Sequence, residues 1–212
     1  MDGKNKTWAK LDLEEMQRNY EGLKEAVESG MEIESLEPAN VYTFEAMTGS
    51  PVRDLCPRYL SVATIEEGVA LRQKGVTLPI LVREFPWPDN IVKYVKTLHF
   101  NYLSQSVKSI DEVQALAARV IPIFGGVLSI HIKVDITENG EGFTYFDDKS
   151  RIEDYMVAKT ILGLYFEGIY TELDKNEPDE VKEMKIQKLG ELAARVEKET
   201  KKPFTMKHFI CK

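Results

Sequence analysis

The run Ile130-His131-Ile132-Lys133-Val134-Asp135 sets a base, an amine and a carboxylate at alternate positions of an otherwise aliphatic segment. In a strand, successive side chains point to opposite faces, so His131, Lys133 and Asp135 share one face and the three aliphatics the other. A lysine on a buried face is costly unless paired. Two roles therefore fit Lys133: a structural ion pair with Asp135 or Glu172, or a group that holds a ligand. A buried amine is also the right chemical type for a nucleophile. The other candidates are sparser. Tyr42 and Asn40 follow the first strand of the pattern, and an amphipathic tyrosine suits a rim. Lys207, His208 and Lys212 form a basic run that reads as a solvated tail, with an anion grip as the alternative. His99 reads as a surface or core-edge residue. Cys56 and Cys211 are the only cysteines and have no CxxC-like spacing, so neither a metal site nor a disulfide framework is expected. Gly125-Gly126 precedes a strand rather than a helix and reads as a turn, not a phosphate loop.

These residues are carried by strand and helix patterns that alternate along the chain, which is the signature of βαβ units around a parallel sheet. Short apolar runs lie near Ile33 to Leu36, Leu60 to Ala63, Ile80 to Val82, Tyr102 to Ser104, Val127 to Ile136, Phe166 to Thr171 and Phe204 to Ile210. Three helix starts are legible as capping boxes, Thr64 with Glu67, Ser109 with Glu112 and Ser150 with Glu153. Gly75 after Lys74 is placed to end a helix in a left-handed conformation. Pro178 suits the first turn of a helix running to about Thr200. Val181, Met184, Lys188 and Leu192, with Ile186 and Leu189, give that helix its core face. Phe85-Pro86-Trp87-Pro88 reads as a loop.

With 212 residues, 43% hydrophobic and 30% charged, the chain fits one globular domain with an ample core rather than a disordered or collagen-like segment. The net charge of −7, with signs interspersed, argues against nucleic acid or an anionic membrane as partner, since both need clustered Lys and Arg. The polar start, Met1-Asp2-Gly3-Lys4-Asn5-Lys6, lacks the apolar core of a signal peptide, and no stretch is long enough to span a bilayer. A cytoplasmic location is expected.

Several segments in order resemble one family. Thr7-Trp8-Ala9-Lys10-Leu11-Asp12 opens the match, followed by Tyr59-Leu60-Ser61-Val62-Ala63-Thr64, Pro79-Ile80-Leu81-Val82, Ile132-Lys133-Val134-Asp135 and Glu167-Gly168-Ile169-Tyr170-Thr171. Together they resemble the opening and successive barrel strands of alanine racemases, pyridoxal-phosphate (PLP) enzymes built on a TIM barrel followed by a β domain. The resemblance implies an α/β, TIM-barrel-like fold for residues 1–212 as a single domain. Seven strands are recognisable, and the last βα unit and the C-terminal β domain are expected to be missing. A complete barrel has eight strands and about 250 residues. A seven-strand version is expected to leave its first and last strands unpaired on one side, to be covered by a homodimer partner or swapped segment, the N-terminal helix or a C-terminal region.

The residues that carry the family's chemistry depart from its pattern. The resemblance places the family's PLP lysine, at the end of the first strand, on Pro38, which has no amine; Ala39, Asn40 and Tyr42 match. The family's arginine near the cofactor's phenolic oxygen falls on Gly140, its sixth-strand histidine on Glu172, and its phosphate-side motif on His208 to Lys212, where only the histidine matches. The acidic stretch Met31-Glu32-Ile33-Glu34-Ser35-Leu36-Glu37 also departs from the apolar strand expected beneath a PLP lysine. By resemblance, Tyr42, Asn40 and Lys133 are the cofactor-binding candidates. No catalytic residue is assigned, PLP is the cofactor implied, and its covalent attachment is not expected. The reading is a degenerate racemase-like barrel, without standard racemase activity, that acts as a binding or interaction module for a small-molecule ligand or a protein partner. The alternative is a PLP-dependent racemase or isomerase that uses a different lysine or a partner chain.

Overall fold

The computed structural model describes residues 34–38, 59–85, 103–124, 127–137, 141–145 and 152–211. Tyr42, Asn40, Gly140, His99, Cys56, the Gly125-Gly126 turn and Lys212 lie outside them. The strands are β1 (Glu34–Pro38), β2 (Leu60–Val62), β3 (Ile80–Val82), β4 (Leu103–Val107), β5 (Leu128–Asp135), β6 (Phe143–Thr144), β7 (Leu164–Leu173) and β8 (Met206–Cys211). The helices are α1 (Ile65–Gln73), α2 (Ile110–Phe124), α3 (Ile152–Ala158) and α4 (Asp179–Thr200). All seven expected strands are present.

Every pairing is parallel. β1 lies between β2, with Glu37 opposite Leu60 and Pro38 opposite Ser61, and β8, with Glu34 opposite His208 and Leu36 opposite Ile210. The ring continues through β3 and β4 to β5, then to β7 and back to β8. Seven strands thus close on themselves, and the two-residue β6 hangs on the end of β5 at Val134 and Asp135. The expectation of open first and last edges is corrected: β1 and β8 satisfy each other's backbone groups, because strand tilt lets a parallel sheet close without a fixed strand number. The edge-based argument for an oligomer falls with it.

Alternation sorts the side chains into two layers. Ile80, Val82, Leu103, Val107, Ile130, Ile132, Val134 and Ile169 are fully or almost fully buried on the outer face. There they join one core with Val69, Leu116, Leu189, Leu192 and Val196 of the helices. The inward residues Tyr59, Leu81, Tyr170 and Ile210 make a second, smaller apolar cluster. Among the described residues, the other inward side chains, Ser61, Ser104, Ser106, His131, Lys133 and His208 among them, are polar.

Local signals position these layers. At α1 the capping box is complete: Glu67 N–H donates to Thr64 Oγ1 (3.3 Å), and Glu67 Oε2 accepts from the backbone of Thr64 (3.4 Å) and Ala63 (2.8 Å). At α2 the Ser109 hydroxyl accepts from Glu112 N–H (3.2 Å), but the Glu112 carboxylate accepts from Lys108 N–H, one residue before the cap. Ser150 lies outside the described residues. Gly75 takes φ +87°, as its place after α1 requires. Pro178 stands at the cap of α4 rather than in its first turn, with ψ 145°, and the helix ends at Thr200.

Candidate functional site

The barrel interior is built in two tiers. In the lower tier, near the strand N-termini, Glu167 of β7 gathers the donors. Its Oε2 accepts from the Ser104 hydroxyl (2.7 Å), the Tyr59 hydroxyl (3.4 Å) and His131 Nε2 (3.3 Å), and Tyr59 and Ser104 are in close hydrogen-bond contact with each other. Burial pushes the Glu167 carboxyl up, but the hydrogen bonds from His131, Ser104 and Ser129 outweigh it, bringing the pKa to about 2. Burial and the Glu167 charge push the Tyr59 phenol up, so it stays protonated.

His131 and His208 are fully buried and joined Nδ1 to Nε2 at 2.7 Å. The His208 ring stacks on Tyr170 at 4.9 Å and 8°, and the Tyr170 hydroxyl pairs with Ser106 at 2.7 Å. Gly168 makes room for this: a Cβ there would stand 2.6 Å from the His131 ring. The register slips between Ile130 and His131, so that Ile130 faces Phe166 and His131 faces Gly168. That irregularity turns Glu167 inward beside the ring. Burial lowers the pKa of both imidazoles, and for His208 the neighbouring His131 lowers it further.

The upper tier faces the mouth at the C-terminal ends of the strands, where barrels of this class build their sites. Lys133 Nζ meets Glu172 Oε2 at 2.6 Å, with Arg83 Nη1 3.9 Å from the other carboxylate oxygen. Both partners are largely buried, at 10% and 13% side-chain exposure, which is what makes the pair energetically consequential. Lys185 from α4 pairs with Glu177. Lys133, Glu172, Glu177 and Lys185, with Asp135 and Glu141, line a cleft of about 460 Å³, in the range that holds small molecules. Carboxylates outnumber amines around it, and each amine already faces one of them. The arrangement can recognise a polar group; it holds no uncommitted nucleophilic amine among the described residues.

The alternation of His131, Lys133 and Asp135 stands, but the three do not act together. Lys133 takes Glu172, the second of its two expected partners. Asp135 accepts from Thr137 through backbone and hydroxyl at 3.1 and 3.3 Å, and His131 lies deeper in the barrel. The expectation of a solvated basic tail is corrected: Lys207 pairs with Glu197 at 3.2 Å, and His208 is sealed in the core because β8 closes the ring. Sequence reasoning missed Tyr59, Ser104, Ser106, Glu167 and Tyr170 as one network. The available signal was Glu167-Gly168, a charge and a missing side chain inside an apolar strand.

A closed ring of parallel strands with helices outside, a polar interior and a cleft at the strand C-termini defines the βα-barrel class. The chain belongs to the family described as alanine racemase, N-terminal domain, whose model matches residues 11–209. It is 27% identical over 165 residues to the alanine racemase of Methanococcus maripaludis, covering 77% of this chain and 42% of that one. Among solved structures, the alanine racemase of Clostridium difficile 630 in complex with cycloserine superposes with a TM-score of 0.67 at 19% identity, over 96% of this chain and 54% of that one. An unknown protein from Bifidobacterium adolescentis superposes with the same TM-score at 13% identity, over 97% of this chain and 96% of that one. The chain thus spans about half the length of the racemases it matches, and nearly the whole of the Bifidobacterium chain. Among the described residues, no helix is long and apolar enough to cross a membrane, and no group of three or more metal-ligating side chains converges.

Two outcomes follow from the charges. Glu172→Leu strands the buried Lys133 ammonium and is expected to cost about 3 kcal/mol in urea unfolding, most of it recovered in the double variant Lys133→Met/Glu172→Leu. Glu167 has a folded-state pKa of about 2 against an ordinary 4.5, so it contributes stability above pH 4.5 that is lost as pH falls towards 2. Denaturant midpoints measured across that window should fall more steeply for the native chain than for Glu167→Gln.

Proposed function

We propose that this chain is a racemase-family barrel that binds a small polar molecule at its mouth without running the family's covalent chemistry. The observation that carries this reading is the Lys133–Glu172 pair. The amine best placed at the mouth is engaged at 2.6 Å by a buried carboxylate, while β1, where the resemblance puts the PLP lysine, ends in Pro38. Racemisation needs a proton-transfer group on each face of the α-carbon and an electron sink. By resemblance, a lysine at the end of the first strand and a tyrosine from the β domain supply the two bases. Here the first is proline.

PLP supplies the electron sink when bound in the family. The residues present do not fit its covalent form. Pro38 offers no amine, and releasing Lys133 would strip the largely buried Glu172 carboxylate of its 2.6 Å ion-pair partner. What the chain does offer is the cleft: two amines and an excess of carboxylates, fixed in position before any ligand arrives. Paired charges of this kind orient a small zwitterionic or polyhydroxylated molecule by hydrogen bonds without reacting with it. A fold can outlast the chemistry it once framed.

The test is an absorption spectrum of the purified protein with added PLP, before and after borohydride, followed by peptide mass mapping. No pyridoxyl group on any defined lysine is expected. Stoichiometric trapping on one lysine, above all Lys133, would overturn the reading in favour of a PLP-dependent isomerase with a relocated amine.

A further inference from the structure

Donors and acceptors are unevenly left over around the mouth cleft, whose walls are the end of β5, the end of β7 and the turn from β7 into α4. The two hydroxyls that line it have already given their hydrogens to the protein. Thr171 Oγ1 donates to Val134 O at 3.0 Å, and Thr137 Oγ1 donates to Asp135 Oδ1 at 3.3 Å. A hydroxyl that has donated keeps its lone pairs, so towards a ligand both can only accept. The two amines are held by carboxylates, Lys133 by Glu172 at 2.6 Å and Lys185 by Glu177 at 2.5 Å. A carboxylate accepts at about four positions, so each still accepts after pairing. Asp174 Oδ1 takes only the backbone and side-chain N–H groups of Asn176, at 2.8 and 3.0 Å, neutral donors that leave its charge in place. Lys108 reaches Glu141 from outside the lining, and Arg83 stands 3.9 Å from Glu172. Counting both, the carboxylates are still in the majority among the described residues.

This inference rests on the reading that the cleft holds a small polar molecule, and it names the class. We propose that the ligand is an organic cation, a short chain carrying primary ammonium groups and no carboxylate or phosphate. Each ammonium brings three N–H donors and a positive charge, which is what an acceptor-rich, net acidic lining can use. An anion brings lone pairs and the wrong charge. To use the spare N–H groups of Lys133 or Lys185 it would have to sit against the carboxylate that already holds that amine. A neutral diol finds the same acceptors but gains nothing from the charge. The cleft's volume of about 460 Å³ admits a four-carbon chain with room for water.

Four probes of equal chain length separate these cases: 1,4-diaminobutane, 4-aminobutanoate, 1,4-butanediol and succinate. Each is titrated into the full, nitrogen-15-labelled protein at neutral pH and low salt, following the backbone amide signals of Thr137, Asp174 and Asn176. The diamine is expected to shift these signals and to bind about tenfold more tightly than the diol or the aminobutanoate, and succinate to leave them unmoved. Added salt should weaken the diamine by screening the charges. Asp174→Asn, at the exposed rim, should weaken it about threefold. Glu199→Gln, about 30 Å along α4 in its last turn, should change nothing. Equal or tighter binding of any of the other three probes, no response to the diamine, or equal effects of the two substitutions would each overturn the proposal. If the diol or the aminobutanoate binds best, only the ligand class falls and the polar-ligand reading stands. If borohydride traps PLP on Lys133, that reading falls whatever the diamine does.

Discussion

In a closed ring of parallel strands, an inward polar side chain can reach only other inward side chains or the mouth. That constraint organises this molecule. The helices cover the outer aliphatic face, so the interior carries the residues that alternation sends the other way, and each of these must find its partner across the barrel. Glu167 answers it by collecting hydroxyl and imidazole donors, and Lys133 answers it with Glu172. The closure does not satisfy every buried polar atom: Ser61 Oγ, Arg83 Nε and His208 Nδ1 are left without a hydrogen-bond partner.

The same constraint underlies the proposal that this barrel does not run the covalent chemistry of its relatives. A covalent cofactor needs an amine that can be freed at modest cost. Freeing Lys133 means uncovering two buried charges at once, and β1 ends in a residue with no amine at all. Likeness to solved racemases below 25% identity speaks for the barrel, and the interior side chains speak for what the barrel can do.

Much of the fold was legible before the structure because it is written in local terms. The period-two run in β5, the Thr64 to Glu67 box and Gly75 each depend on residues a few positions apart, and each took its expected form. The interior was less legible. Tyr59 and Ser104 lie 45 residues apart, and Glu167 lies 63 beyond Ser104, so nothing local links them. Ring closure was missed for the same reason: pairing β1 to β8 is the most distant contact in the sheet, and counting strands does not reveal it. His208 was misread in consequence, since a basic run looks solvated until β8 is known to be a central strand.

Among the described residues, the barrel mouth presents no amine free to react. Competitive labelling of the folded protein with an amine-selective reagent, read by peptide mass spectrometry, tests it without any cofactor. The account predicts that Lys133 reacts far more slowly than exposed lysines such as Lys175 and Lys198, and reaches their rate only on unfolding. Labelling of Lys133 in the native protein at the pace of those exposed lysines would contradict it.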